Sequence, residues 1–160
     1  MSLIRLELQP IQFGIMEPCW GQPLFPLLHR LIPLIALKES RELLRRALEA
    51  EKRENAKESA AVLEALGALR EAEFGNSEIA RKAASAALVS FPGKDVKALV
   101  SLVFARSGDP AHAQALADEL NKRFPSDTLL QRYWLPTIRS SIELARNNAP
   151  GALAALQGLS

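Results

Sequence analysis

Two stretches of the chain, GNSEIARKAASAALVSFPG at 75–93 and GDPAHAQALADELNKRFPS at 108–126, align without a gap. Gly75 falls on Gly108, Ala80 on Ala113, Phe91 on Phe124 and Pro92 on Pro125, each pair 33 residues apart. A period of this length constrains the fold more than any single residue does, because it is the size of one helical hairpin. Such a hairpin cannot bury both faces alone, so it must stack on its neighbours.

Local composition agrees with helix. The chain is 48% apolar, and much of that is alanine among Glu, Lys and Arg, residues that lose little side-chain freedom in a helix. No alternating Val/Ile/Thr runs predict strands. Apolar spacing predicts a helix over 39–55 with Leu43, Leu44, Ala47 and Leu48 on one face, and another over 57–74 carrying Ala60, Leu63, Leu66 and Leu69 inward. Gly75 is placed to take a left-handed conformation after that helix, and Asn76 or Ser77 to cap the next. Helix 77–91 would bury Ile79, Ala83, Ala87 and Leu88, stopping at Pro92 and Gly93. Helix 94–107 follows with Val96, Leu99, Val100, Val103 and Phe104 inward. In Gly108-Asp109-Pro110 the glycine ends one helix, the aspartate caps the next, and the proline sits where a missing N–H costs nothing. Helix 110–124 carries Ala113, Leu116, Ala117, Leu120 and Phe124. Ser126 or Asp127 caps a long helix, 128–146, lined by Leu130, Trp134, Ile138, Ile142 and Ala145. Pro136 lies inside it and predicts a kink. A short Ala/Leu helix closes the chain.

Residues 1–37 read as a separate, irregular apolar segment ahead of a helical domain at 38–160. They hold five of the ten prolines, with Phe13, Trp20 and Phe25. Within them LFPLLHRLIPLIAL, 24–37, is too short to span a bilayer and contains Pro26, His29, Arg30 and Pro33. No signal-peptide pattern is present. A buried or partner-covered segment is the expectation, with a membrane-surface anchor as the alternative.

A turn glycine, a small residue five places on, a second seven further and a proline five beyond that resemble the second-helix signature of the tetratricopeptide repeat. Gly75, Ala80, Ala87 and Pro92 fit it fully, and Gly108, Ala113, Leu120 and Pro125 fit it with one larger residue. Phe104, four places before its glycine, stands where that family often has an aromatic. Asn147 with Ala152 begins a third match, and Ser40 with Ala47 is a degenerate earlier one. RELLRRALEAEKRENAKESAAVLEALGALREAEFGN and ARSGDPAHAQALADELNKRFPSDTLLQRYWLPTIRSSIELARNN look like the C-terminal repeat region of bacterial eukaryotic-like serine/threonine protein kinases, over about residues 38–157. The resemblance implies an all-α, right-handed solenoid of about three hairpins. It also implies interaction or sensing rather than catalysis by this region.

The residues point the same way. No kinase glycine loop, HRD or DFG string occurs, and Gly93-Lys94 has no Walker spacing. His29 and His112 are far apart, and His112 stands beside Asp109 in a first helical turn. Glu71, Glu73, Asp118 and Glu119 read as solvated ion-pairing carboxylates. Cys19, the single cysteine, has no neighbouring histidine, forms no intrachain disulfide and fits a reducing, cytoplasmic compartment. No cofactor or metal is expected. The net charge of +2 gives no reason to expect nucleic acid.

One cluster stands out. QRYWLPTIR, 131–139, combines Arg132, Tyr133, Trp134 and Arg139, the residue types that dominate binding hot spots. Either Trp134 is core and the arginines ride outside, or the stretch is a recognition surface joined by Arg106 and suited to an acidic group or free carboxylate on an extended peptide. The expected function is a non-catalytic scaffold or adaptor that binds a protein or peptide in the concave face of the solenoid. Two alternatives stay open. One is a self-associating regulatory or sensor fragment of a kinase or transcriptional regulator, with 20–37 or 150–160 as the contact face. The other is a remnant without independent activity.

Overall fold

The computed structural model describes residues 24–157, with side chains from Leu37 onward except Lys52. Trp20, Cys19, the side chain of His29 and the rest of the first segment therefore lie outside the described residues. The chain divides into two compact units, 1–36 and 37–160. Of the first, the backbone of 24–36 is helical.

Every described element is helical: α1 Leu24–Arg53, α2 Lys57–Glu73, α3 Ser77–Ser90, α4 Lys94–Arg106, α5 Pro110–Arg123, a π-helical turn Leu130–Trp134, α6 Leu135–Ala145 and α7 Ala149–Gln157. The helix expected from residue 39 starts at Leu24 instead. Pro26 falls in its first turn, where no intrahelical N–H is required.

Helices α2 and α3, α4 and α5, and α6 and α7 pair as hairpins, and the first helices follow one another, α2 on α4 and α4 on α6. The three hairpin turns share one construction. Gly75, Gly108 and Asn147 have φ of 79°, 83° and 59°. The next amide in each case returns to a carbonyl five residues back: Asn76 to Glu71 at 2.9 Å, Asp109 to Phe104 at 2.8 Å and Asn148 to Glu143 at 2.9 Å. These bonds satisfy the last carbonyls of the first helix. Five residues after each left-handed residue an alanine, Ala80, Ala113 or Ala152, is buried. The connections after α3 and α5 are built differently, whereas the turn from α1 to α2 repeats the pattern, with Asn55 at φ 55° and Ala56 N on Glu51 O at 3.0 Å. Phe91 and Phe124 end α3 and α5, lie half-buried against the core and are followed by proline.

Two ion pairs join positions 33 apart, linking α4 to the hairpin on either side of it. Arg106 at the end of α4 meets Glu73 at the end of α2. Lys94 at the start of α4 reaches Asp127 at 2.6 Å. The second pair also settles the cap, because Asp127 accepts from Leu130 N at 2.9 Å. Asp109 caps α5 through His112 N at 3.2 Å, with Pro110 in the first turn. Asn76 makes no side-chain cap; its amide donates to Glu71 at 2.8 Å.

The core follows the alanines more than the leucines. Leu43 is 65% exposed and Ile79 54%, and Leu66 is exposed too, whereas Ala60, Ala61, Ala65, Ala68, Ala80, Ala84 and Ala87 are buried. Ala145, expected on the lining face of its helix, is also exposed. Helices that approach closely need small side chains at the contact, so the larger residues at neighbouring positions are turned outward. Helix α4 is the exception. From Ala98 to Ala105 it is buried on all sides, because α2, α3, α5 and α6 all pack on it. Beyond it, Leu130, Ile138 and Ile142 are buried as their spacing predicts. Pro136 lies in the first turn of α6, directly after the π-helical turn in which Leu135 N reaches Leu130 O. The wide turn accommodates the N–H that Pro136 lacks.

Candidate interaction surfaces

The cluster at 131–139 is divided by burial. Trp134 packs against the core, while Tyr133 is 56% exposed and its ring meets Trp134 edge-on at 5.4 Å between centroids. Arg132 and Arg139 are exposed, and no ion pair or hydrogen bond engages either of them among the described residues. Arg106 is exposed as well, but it is held by Glu73. The structure thus joins Tyr133 to Trp134 and leaves Arg106 committed to another first helix. The signature positions Ala80, Ala87, Ala113 and Leu120 are buried, as is Phe104. Pro92 and Pro125 are exposed in the connections.

A second surface was not anticipated. Helices α3 and α5 both pack on α4 and not along one another. They leave an open cleft of about 630 Å³. Phe104 of α4 is its floor, with Leu88 and Val89 from α3 and Leu116 from α5. Arg81 and Lys82 stand on the α3 wall, and Asp109, His112 and Glu119 on the α5 wall. His112 Nδ1 lies 2.6 Å from Asp109 Oδ2, and its ring is 5.5 Å from Phe104. Glu119 receives Lys97 at 2.6 Å and Arg123 at 3.4 Å, both on Oε1. These bonds, that of Lys97 first, hold its carboxyl below the usual range.

A related cleft of about 400 Å³ lies between α1 and α3, lined by Arg41, Leu48, Glu71, Ile79 and Ala83 among others. Here the carboxylate is buried rather than solvated as expected: Glu71 is 7% exposed. It takes a two-pronged bond from Arg41, with both contacts at 2.6 Å, and a third bond from Asn76. The Arg41 contact outweighs the cost of burial and lowers the Glu71 carboxyl below its ordinary value. Sequence spacing could not reveal this pair, because its members are 30 residues apart.

Neither surface assembles a nucleophile with a base. No group of three His, Cys, Asp or Glu among the described residues could hold a metal ion. No helix among them is long and apolar enough to cross a membrane. No family model, curated protein or solved structure matches the chain.

Proposed function

We propose that this chain is a non-catalytic interaction module, a tetratricopeptide-like solenoid in the cytoplasm whose first-helix face binds a protein or peptide. The observation that carries the reading is the presence of exposed Arg132 and Arg139, unpaired among the described residues, beside a half-exposed Tyr133 on one short stretch. Guanidinium groups left without an intramolecular carboxylate are free to take one from a partner. Trp134 anchors that stretch to the core, so the residues are presented on a packed element. The matched turns at Gly75, Gly108 and Asn147 support a stacked-hairpin reading. The ligand class that fits is an extended peptide carrying acidic groups or a free carboxylate.

An array of acidic peptides tests this, probed with the wild type and with the triple variant Arg132→Ala, Tyr133→Ala, Arg139→Ala. The reading predicts loss of bound peptides with an unchanged melting curve. Equal capture by both proteins would remove it.

A second reading, a self-associating regulatory fragment, draws on α7. Leu153 and Leu156 on that helix are exposed, which leaves part of 150–160 available as a contact face. Light scattering of Leu153→Glu against the wild type tests it: an unchanged mass excludes that face.

A further inference from the structure

In the α1–α3 cleft, Arg41 closes on Glu71 through two bonds of 2.6 Å. The α3–α5 cleft repeats the arginine and omits the carboxylate. Arg81 is its counterpart on α3, but Phe104 stands on the floor 33 residues beyond Glu71. The Arg81 guanidinium donates to Ser107 O at 2.7 Å, and no carboxylate meets it among the described residues. A carbonyl accepts a hydrogen bond without neutralising the charge. Lys82 beside it is exposed and likewise unpaired among the described residues.

The opposite wall has no carboxylate to spare. Glu119 is taken by Lys97 and Arg123, and Asp109 caps α5 and meets His112. An incoming group therefore finds unmatched positive charge beside an apolar surface of Leu88, Phe104 and Leu116. Val89, which also lines the cleft, is 87% exposed. Small ligands are held by burying most of their surface in a concave pocket, which so open a lip does not do. A broader occupant, laid across the cleft from outside, covers Val89 and the floor together.

We propose that the α3–α5 cleft binds an acidic, apolar segment of a partner protein, whose Asp or Glu carboxylate meets Arg81 as Glu71 meets Arg41. Lys82 adds to the positive charge of that wall. Apolar side chains flanking the acid cover Phe104, Leu116 and Val89. This surface is separate from the one carrying Arg132 and Arg139, so the two are tested apart.

Fluorescence anisotropy tests it, on the full 160-residue chain and on its Arg132→Ala, Tyr133→Ala, Arg139→Ala variant, which removes the first-helix site. The probe is a labelled peptide of about 14 residues, Leu and Phe interleaved with Glu, compared with its Gln-for-Glu analogue. Arg81→Gln, Lys82→Glu and Val89→Glu are then added singly to the triple variant. Lys82 and Val89 are exposed, so those two changes should leave the circular dichroism unaltered even if Arg81→Gln does not. The expected result is binding that survives in the triple variant and is about tenfold or more tighter for the Glu peptide. Each folded cleft variant should raise its Kd about tenfold or more, and added salt should narrow the gap between the two peptides. No binding by the triple variant up to about 1 mM peptide would overturn the proposal and leave acidic peptides to the first-helix face. Equal affinity for the two peptides, or indifference to the cleft variants, would also overturn it. So would dodecanoate bound at the cleft without the peptide, which would assign the site to a lipid-like anion.

Discussion

Glu71 and Phe104 occupy the same place in consecutive hairpins, 33 residues apart, yet one is a buried carboxylate and the other an aromatic ring. The junction of α1, α2 and α3 is closed by a charge pair, with Arg41 gripping Glu71. The junction of α3, α4 and α5 is floored by Phe104, and the arginine matching Arg41, Arg81, turns to the end of α4 and donates to Ser107 O at 2.7 Å. Size order is exchanged as well. At the first junction Leu44 lies over Gly67, so closely that a Cβ there would meet Leu44 Cδ2 at 2.3 Å. The matching residues of the second junction are Ala84 and Val100, both buried, with the larger residue now on the first helix. One backbone arrangement is thus filled by two different side-chain solutions. What recurs is the left-handed turn and the small residue after it, not the chemistry of the contact.

The largest effect should come from the aromatic junction. Phe104→Ala removes most of a buried ring and is expected to cost about 3–4 kcal/mol in urea unfolding. At the charged junction, Arg41→Ala strands the buried Glu71 carboxylate and should lower stability by less than Phe104→Ala does, because Arg41 itself is half-exposed. If Arg41→Ala proved the more damaging of the two, the weights assigned to the junctions would be reversed. The size exchange can be tested by imposing one solution on the other. Gly67→Val should overpack by about 1–3 kcal/mol. Combined with Leu44→Ala, it should cost about 1 kcal/mol less than the sum of the single changes. Simple additivity would deny that these residues share a contact.

Acid should separate the junctions further. The Glu71 carboxyl is held below its ordinary value, first by the bond from Arg41. A carboxylate of lowered folded pKa contributes stability that is present above its unfolded value, about pH 4. That stability is lost as pH falls through the folded value. Glu71→Gln should therefore flatten the loss of stability between about pH 5 and pH 2, and an unchanged slope would mean the pair carries little. The smallest effect concerns Ser101, fully buried with a hydroxyl that has no partner among the described residues, where the preceding hairpin has Ala68. Ser101→Ala should stabilise by about 0.5–1 kcal/mol.

Much of the backbone was legible because turn chemistry is local. Gly75, Gly108, the Asp109–Pro110 start and the Phe-Pro connections each declare themselves within a few residues, and the hairpins followed from their spacing. The inward faces of α4 and α5 were legible too, since Val, Leu and Phe lie there at helical spacing. The faces of α1, α2 and α3 were misread at Leu43, Leu66 and Ile79. In an alanine-rich helix the contact face is the smooth one, and periodicity counts a leucine more heavily than an alanine. At the sites, Arg132, Tyr133 and Arg139 were visible by residue type. Arg106 also looked free, because the carboxylate that holds it, Glu73, belongs to another helix. The α3–α5 cleft arises from two second helices failing to meet, and no local pattern encodes that gap.

The central claim is that residues 33 apart occupy equivalent places, and Ala80 and Ala113 test it most directly. Both are completely buried at the close approach of a second helix to its hairpin partner. Urea unfolding of Ala80→Leu and Ala113→Leu, run side by side, should show each variant destabilised by about 1–3 kcal/mol relative to the wild type. If either variant unfolded at the wild-type midpoint, the two alanines would not share an environment, and the equivalence of the hairpins would be contradicted.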